Sequence, residues 1–346
     1  MKKTAICFLG VLAFIQLDAR CAWAWDYEGH RVINQIALAS LPTNFPAFVK
    51  TAEARERIAF LAGEPDRWRN PQEYTLNHVN QPDHFIDMEY LANFDMKPET
   101  VSSYRYDFVS QLAAARVKNP KIEPVPNPER DANHNQAFFG FLPWAINEHY
   151  AKLKLEFSYL KAFEQNGGTP EEIRNAQENV IYTMGVVGHF VGDATQPLHT
   201  TRHFNGWGNG ENPKGYTNDR KFHQLIDGDY FTKVGIAMPG LLTNAQPAHV
   251  VEGANTGGEG IFQPVIKFIA VQNQLVEPLY QLEKDGKLSG DGPVGLEGKQ
   301  FLQGQLLKGG QMLGNIWLTA WQTAPEDDYL KRQLEKRKEA AVEKKP

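Results

Sequence analysis

An all-α protein with a single mostly helical domain and long loops is what this sequence predicts. Apolar residues recur at helical spacing in several long segments, and strict apolar–polar alternation is scarce. Gly, Pro and Thr stand where those segments start and stop. The 346 residues suffice for one large core, and no internal repeat divides them.

The chain opens with Lys2 and Lys3, runs through an apolar stretch from 5 to 17, and reaches Ala22-Trp23-Ala24, an A-x-A cleavage signature. Thirteen residues fall short of the roughly 20 that a membrane-spanning helix needs. Residues 1–24 therefore read as a signal peptide cut between Ala24 and Trp25, giving a secreted or periplasmic protein; a retained anchor is the competing reading. Both cysteines, Cys7 and Cys21, lie in this segment, so the remainder excludes thiolate metal sites, disulfides and a nucleophilic cysteine. Loss of three basic residues and one acidic residue takes the net charge from −5 to −7. No basic field for gripping duplex nucleic acid remains.

The main domain is expected to span 25–330. Its first helix, 28–41, carries Val32, Ile33, Ile36 and Ala37 and stops before Pro42; 51–61 is a second candidate. Residues 93–143 are rich in Pro, Asn and charge and read as a loop insertion. The next helix, 144–165, places Ala145, Ile146, Tyr150, Leu153, Phe157 and Leu160 near helical spacing and ends at Gly167-Gly168. Thr169, Pro170 and Glu172 form a capping-box pattern for a helix running to Gln196-Pro197. A polar, Gly-rich loop covers 204–219, and helices are expected at 222–231, 262–284 and 304–323. Residues 331–346, nearly all Lys, Glu, Arg and Ala, read as a solvated or frayed helical tail.

Chemistry is concentrated in two blocks. His189 and Asp193 stand four apart on one helix face, and Pro197 lets His199 fold back. His223 and Asp227 repeat the spacing. Metal ligation needs imidazole and carboxylate groups converging in this way. One such pair alone is more often an ordinary hydrogen bond, and two pairs with His199 bring the metal reading level with the packing reading. Gly185, Gly188 and Gly192 line the same helix at a cost of up to ~1 kcal/mol each. They permit close approach by a neighbouring helix or by a metal cluster.

Five motifs together resemble the zinc-dependent phospholipase C / single-strand-specific nuclease superfamily. They are Trp25-Asp-Tyr-Glu-Gly-His30, Asp66-Arg-Trp-Arg69, His84-Phe85-Ile86-Asp87, His189-x3-Asp193-x5-His199 and His223-x3-Asp227. The resemblance implies a helical fold around a cleft with three Zn2+. One zinc is held by Asp66, His84, His189 and Asp193. A second takes the amine and carbonyl of an N-terminal Trp25, His30 and a bridging Asp193; a third takes His199, His223 and Asp227. Asp66, Asp193 and Arg69 are the implied catalytic residues, with Arg69 clamping phosphate, while Phe85 stacks on a base and Asp87 bonds its edge. Packing roles for Phe85 and Asp87, and a surface ion pair for Arg69, are the alternatives. His78, His134, His149, His203 and His249 match no implied ligand.

The expected activity is that of a phosphoric ester hydrolase acting on single-stranded nucleic acid or a nucleotide phosphate ester, with no obligate protein partner. The spacing of Trp25 and His30, and Asp227 in place of Glu, favour the nuclease branch over a phospholipase C acting on phospholipid. Departures lie in 206–213 and in 93–143. A zinc-binding scaffold without catalysis is the reading from a different class.

Overall fold

Helix α1 (Tyr27–Ser40) buries Val32, Ile33, Ile36 and Ala37 on the face its spacing predicts, together with His30 and Asn34. The computed structural model describes residues 25, 27–69, 72–208 and 210–343. Residues 1–24, read above as a signal peptide, lie outside them. After α1 come α2 (Ala52–Leu61), α3 (Glu64–Arg67), α4 (Tyr74–Asn80), α5 (Arg105–Lys118), α6 (Leu142–Asn166) and α7 (Pro170–Thr195). Then follow α8 (Phe222–Gln224), α9 (Tyr230–Val234), α10 (Met238–Thr243), α11 (Phe262–Asn273) and α12 (Val276–Lys284). The last are α13 (Gly292–Gly295), α14 (Gly298–Thr323) and α15 (Asp328–Glu343). Among the described residues the β structure is one antiparallel bridge, Ile86 to Gly140. None of their helices is long and apolar enough to cross a membrane.

Helix α7 is the axis of the core, packed on α1, α2, α6 and α14. Its start is the anticipated capping box: Thr169 Oγ1 accepts from Glu172 N–H, and the Glu172 carboxylate accepts from Thr169 N–H at 2.7 Å. The preceding helix, α6, ends on Gly167 in the left-handed region (φ +88°), where glycine carries no Cβ penalty. The glycines of α7 do what their cost requires. A Cβ at Gly188 would stand 1.7 Å from Asn34 Oδ1 of α1, and one at Gly185 would stand 2.4 Å from Leu61 Cβ of α2. Both helices therefore lie nearly backbone to backbone with α7.

Two expectations need correction, and a third gains an anchor. Residues 93–143 are not only loop, because α5 forms within them. Phe108 and Leu112, four apart, are its buried pair, and Phe108 stacks on Trp144 at 4.2 Å beside Phe139 and Phe141. Two anchors in a polar helix leave little periodicity to read. The predicted helix 262–284 breaks at 274–275, where Leu275 N–H turns back to Gln272 O. The break lets Val265, Ile266 and Ile269 on one side, and Val276, Leu279 and Tyr280 on the other, all reach the core. The tail is helical and largely exposed, as expected, but anchored: α15 packs on α6 through buried Leu334, and Arg337 pairs with Glu172 at 2.8 Å.

Candidate metal centre

The sequence motifs arrive at one place from different elements. His30 comes from α1, Asp66 from α3, and His189 and Asp193 from the last turns of α7. His199 follows on the short 3-10 turn Pro197–Thr200, and His223 lies on α8. Asp227 sits on a π-helical turn (Leu225–Asp229) between α8 and α9, a rare geometry often found at functional sites.

The His84–Asp87 motif has almost no secondary structure of its own and is pinned by the returning end of 93–143. Phe141 N–H donates to Pro82 O at 2.6 Å, Asp87 N–H to Phe139 O at 2.7 Å, and Leu142 N–H to Phe85 O at 3.2 Å. Gly140 (φ +109°) makes this possible, since a Cβ there would lie 1.9 Å from Phe85 O.

Three groups of side chains could each hold a metal ion: His30, Asp66 and His189; His84, His189 and Asp193; and His199, His223 and Asp227. In each, the ligand atoms lie within 4.8 Å of one another. Asp193 is central. Its Oδ2 is 3.0 Å from His84 Nδ1 and 3.3 Å from His189 Nε2, and its Oδ1 is 3.5 Å from His30 Nε2. His189 Nε2 also faces His84 Nδ1 at 2.9 Å and Asp66 Oδ1 at 3.7 Å. In the third group His223 Nε2 stands 3.0 Å from His199 Nε2 and 2.7 Å from Asp227 Oδ2. Asp66, in the first group with His30, also lies 3.9 Å from His84 Nδ1 of the second.

These residues fit a cation on chemical grounds. Two ligands 2.0–2.1 Å from a tetrahedral centre are about 3.3 Å apart, close to the separations found here. His189 Nδ1 bonds to Ala62 O at 2.7 Å and His199 Nδ1 to His84 O at 2.6 Å. A carbonyl can only accept, so both rings carry their proton on Nδ1 and turn the Nε2 lone pair into the cluster. Asp193 Oδ1, fully buried, has no hydrogen-bond partner. Leaving such an atom unsatisfied costs more than a lost surface bond, and a cation removes the cost.

The electrostatics agree. Burial, and then Arg69, push the His84 imidazole well below its ordinary value; burial also lowers His199. Both are the neutral form that ligates metal. Burial would raise Asp193, but the His189 imidazole, with hydrogen bonds from His189 and His84, outweighs it and holds the carboxyl well below the usual range. Burial would lower His189, and Asp193 and Asp66 outweigh that and raise it. The centre of the cluster thus attracts positive charge.

Trp25 lies beside it. The residue is fully buried, its indole Nε1 donates to Gly192 O at 3.0 Å, and its ring meets Phe231 edge-on. This puts residue 25 against the turn of α7 that carries Asp193, with His30 converging on the same carboxylate as expected.

A cavity of about 270 Å3 opens onto the cluster. Arg69, Phe85 and Asp87, singled out from sequence, line it with His84, His199 and His223. Arg69 is ion-paired to Asp66, so it is tied to the cluster rather than to the surface. Burial, and then Glu89, hold the Asp87 carboxyl well above its usual range. Sequence reading missed Gln81, Phe204 and Asn205, which share the cavity wall. Phe204 lies in the polar stretch after His199, with its ring edge-on to His223 at 6.0 Å, and only that proximity in sequence signalled it.

The unassigned histidines have other occupations. His149 stacks on Phe190 at 5.2 Å and burial lowers it to about 3. His203 lies flat on Trp207 at 4.2 Å. His78 and His249 bond to Asn133 O and Asn315, and His134 occupies a left-handed turn (φ +54°).

Fold and site together define an all-α protein whose buried His/Asp clusters could hold metal ions beside a cleft. No protein-family model matches the chain, and no curated protein matches it.

Proposed function

We propose that this protein is a secreted, zinc-dependent phosphoesterase, a nuclease/3′-nucleotidase that hydrolyses single-stranded RNA or DNA to 5′-nucleotides. The observation that carries the reading is the cleft itself: its wall offers a guanidinium (Arg69), two phenyl rings (Phe85 and Phe204) and the carboxyl of Asp87, beside three histidines of the cluster, His84, His199 and His223. An ester with an anionic phosphate and a flat base matches that inventory.

The ligand sets are those the motif resemblance implies for three Zn2+: Asp66, His84, His189 and Asp193; Trp25, His30 and Asp193; and His199, His223 and Asp227. Zinc bound there supplies Lewis acidity toward phosphoryl oxygens and lowers the pKa of water. The chain's own groups do the rest. Arg69 gives one nitrogen to Asp66 and keeps donors on the other for a phosphate oxygen, a planar fork suited to that shape. Phe85 and Phe204 offer faces and edges to a base, worth roughly 1–3 kcal/mol per stacked base. Asp87 presents its carboxyl to the base edge as a hydrogen-bond acceptor.

The test is turnover by the chain beginning at Trp25 on single-stranded RNA and on phosphatidylcholine, each with and without chelator. Chelator-sensitive release of 5′-nucleotides is expected. Lipid turnover without nucleotide release moves the protein to the phospholipase branch, and turnover of neither removes the reading.

A further inference from the structure

Gln196 ends α7 between two ligands of the proposed centre, Asp193 and His199, and is fully buried. Its carboxamide is used at both ends. Nε2 donates to Asp227 Oδ1 at 2.5 Å, and Oε1 accepts from Leu198 N–H at 3.3 Å. The remaining oxygen of Asp227, Oδ2, is the one 2.7 Å from His223 Nε2. The bond from Gln196 therefore decides which oxygen of Asp227 faces the third cluster. Asp227 rides on a five-residue π-helical turn, a short support for a carboxylate that must hold one rotamer. Gln196, by contrast, is braced from beneath. The adjacent Thr195 carbonyl accepts from Gln305 Nε2 at 2.6 Å, and Gln305 is bonded in turn to Gln272 and Lys308.

We propose that Gln196 is the positioning residue of the third metal site, setting its affinity by clamping Asp227 with Oδ2 inward. This rests on the metal reading above. Groups that orient a ligand from behind typically change metal affinity 10–100-fold when removed. The specific expectation is that one zinc of three weakens by about that factor while the other two do not.

The experiment is competitive zinc titration of the mature chain against a chelator, with zinc counted per chain. Gln196→Met removes both ends of the carboxamide at nearly constant volume. Gln196→Asn keeps an acceptor for Leu198 N–H, an Asx-turn geometry, but leaves the amide one methylene short of Asp227. His199→Ala removes a ligand of the site and identifies which zinc belongs to it. The expected result is that both Gln196 variants weaken that same zinc by about 10–100-fold. Wild-type affinity in both variants overturns the proposal. So does equal weakening of all three zincs, or weakening by Met with none by Asn, which would reduce Gln196 to a turn former. If His199→Ala leaves zinc binding unchanged, the metal reading itself fails and the proposal falls with it.

Discussion

Replacing Gly192 with alanine sets helix propensity against the cluster. In an unobstructed helix the change gains up to ~1 kcal/mol. At Gly192 a Cβ would stand 2.5 Å from His30 Nδ1 and 2.9 Å from His30 Cε1. Ordinary contact is about 3.5 Å, so the imidazole must retreat by about 1 Å. It has little room to do so, being fully buried and stacked on His189 at 3.9 Å. Overpacking of this kind costs roughly 1–3 kcal/mol, which outweighs the propensity gain and leaves a net loss of up to about 2 kcal/mol. The centre loses more, because metal geometry tolerates only about 0.2 Å. Gly304→Ala is the control: it lies within α14 with nothing within 4 Å of its Cβ position, and should gain roughly 0.5–1 kcal/mol. Urea unfolding of zinc-free protein reads the first effect, and the rise in Tm on adding zinc reads the second. If Gly192→Ala matches the wild type in stability and keeps its full zinc-dependent rise, the close packing of α7 on His30 is refuted.

Phe85→Ala should cut turnover of single-stranded RNA at least tenfold while sparing a small phosphate ester; equal losses on both would deny base stacking. Burial raises the Glu156 carboxyl to about 7 against the hydrogen bond from Thr183. The fold then binds this proton more tightly than the unfolded chain does, so stability falls as pH rises between about 4.5 and 7 and is level above. Glu156→Gln should therefore gain at pH 8, by no more than about 3 kcal/mol and less for its partial exposure, and nothing at pH 4; urea unfolding at the two pH values decides it. His149, held near 3 by burial and then by Lys152 and Arg105, has the opposite sense: its contribution is full above 6.5 and is lost as pH falls toward 3. His149→Phe keeps a ring on Phe190 and should flatten that part of the acid unfolding curve. Leu334→Asp should loosen α15 from α6, seen as early proteolysis of the tail, with turnover unchanged.

What could be read in the sequence was what is local. The pairs His189/Asp193 and His223/Asp227 advertise themselves because four residues make one helical turn, and Thr169 with Glu172 spells a cap. Arg69, Phe85 and Asp87 were legible through motif alone, and the structure gathers them in one cavity. Helix α5 was not legible, since Phe108 and Leu112 are its only buried residues and the aromatic pocket that receives them is built from 139–144. The break at 274–275 had a signal that went unread: Pro278, in the first turn of α12, has no N–H to give Gln274 O and its ring crowds that carbonyl. Gln196 carried no signal either, because its importance lies in a bond to Asp227 31 residues away.

The backbone around His84 joins two of the three ligand groups. The ring of His84 belongs with His189 and Asp193, while its carbonyl receives the Nδ1 proton of His199, and Ile86 N–H returns the bond to His199 O at 2.9 Å. A ligand that settles His84 also settles the ring that serves the neighbouring site. In the proposed centre, part of the ordering cost of the second site would then be met before its own cation arrives. The cation beside His84 should therefore bind without the neighbouring site being filled, whereas that site should gain affinity once the first is filled, to an extent that leaves the three affinities separately measurable.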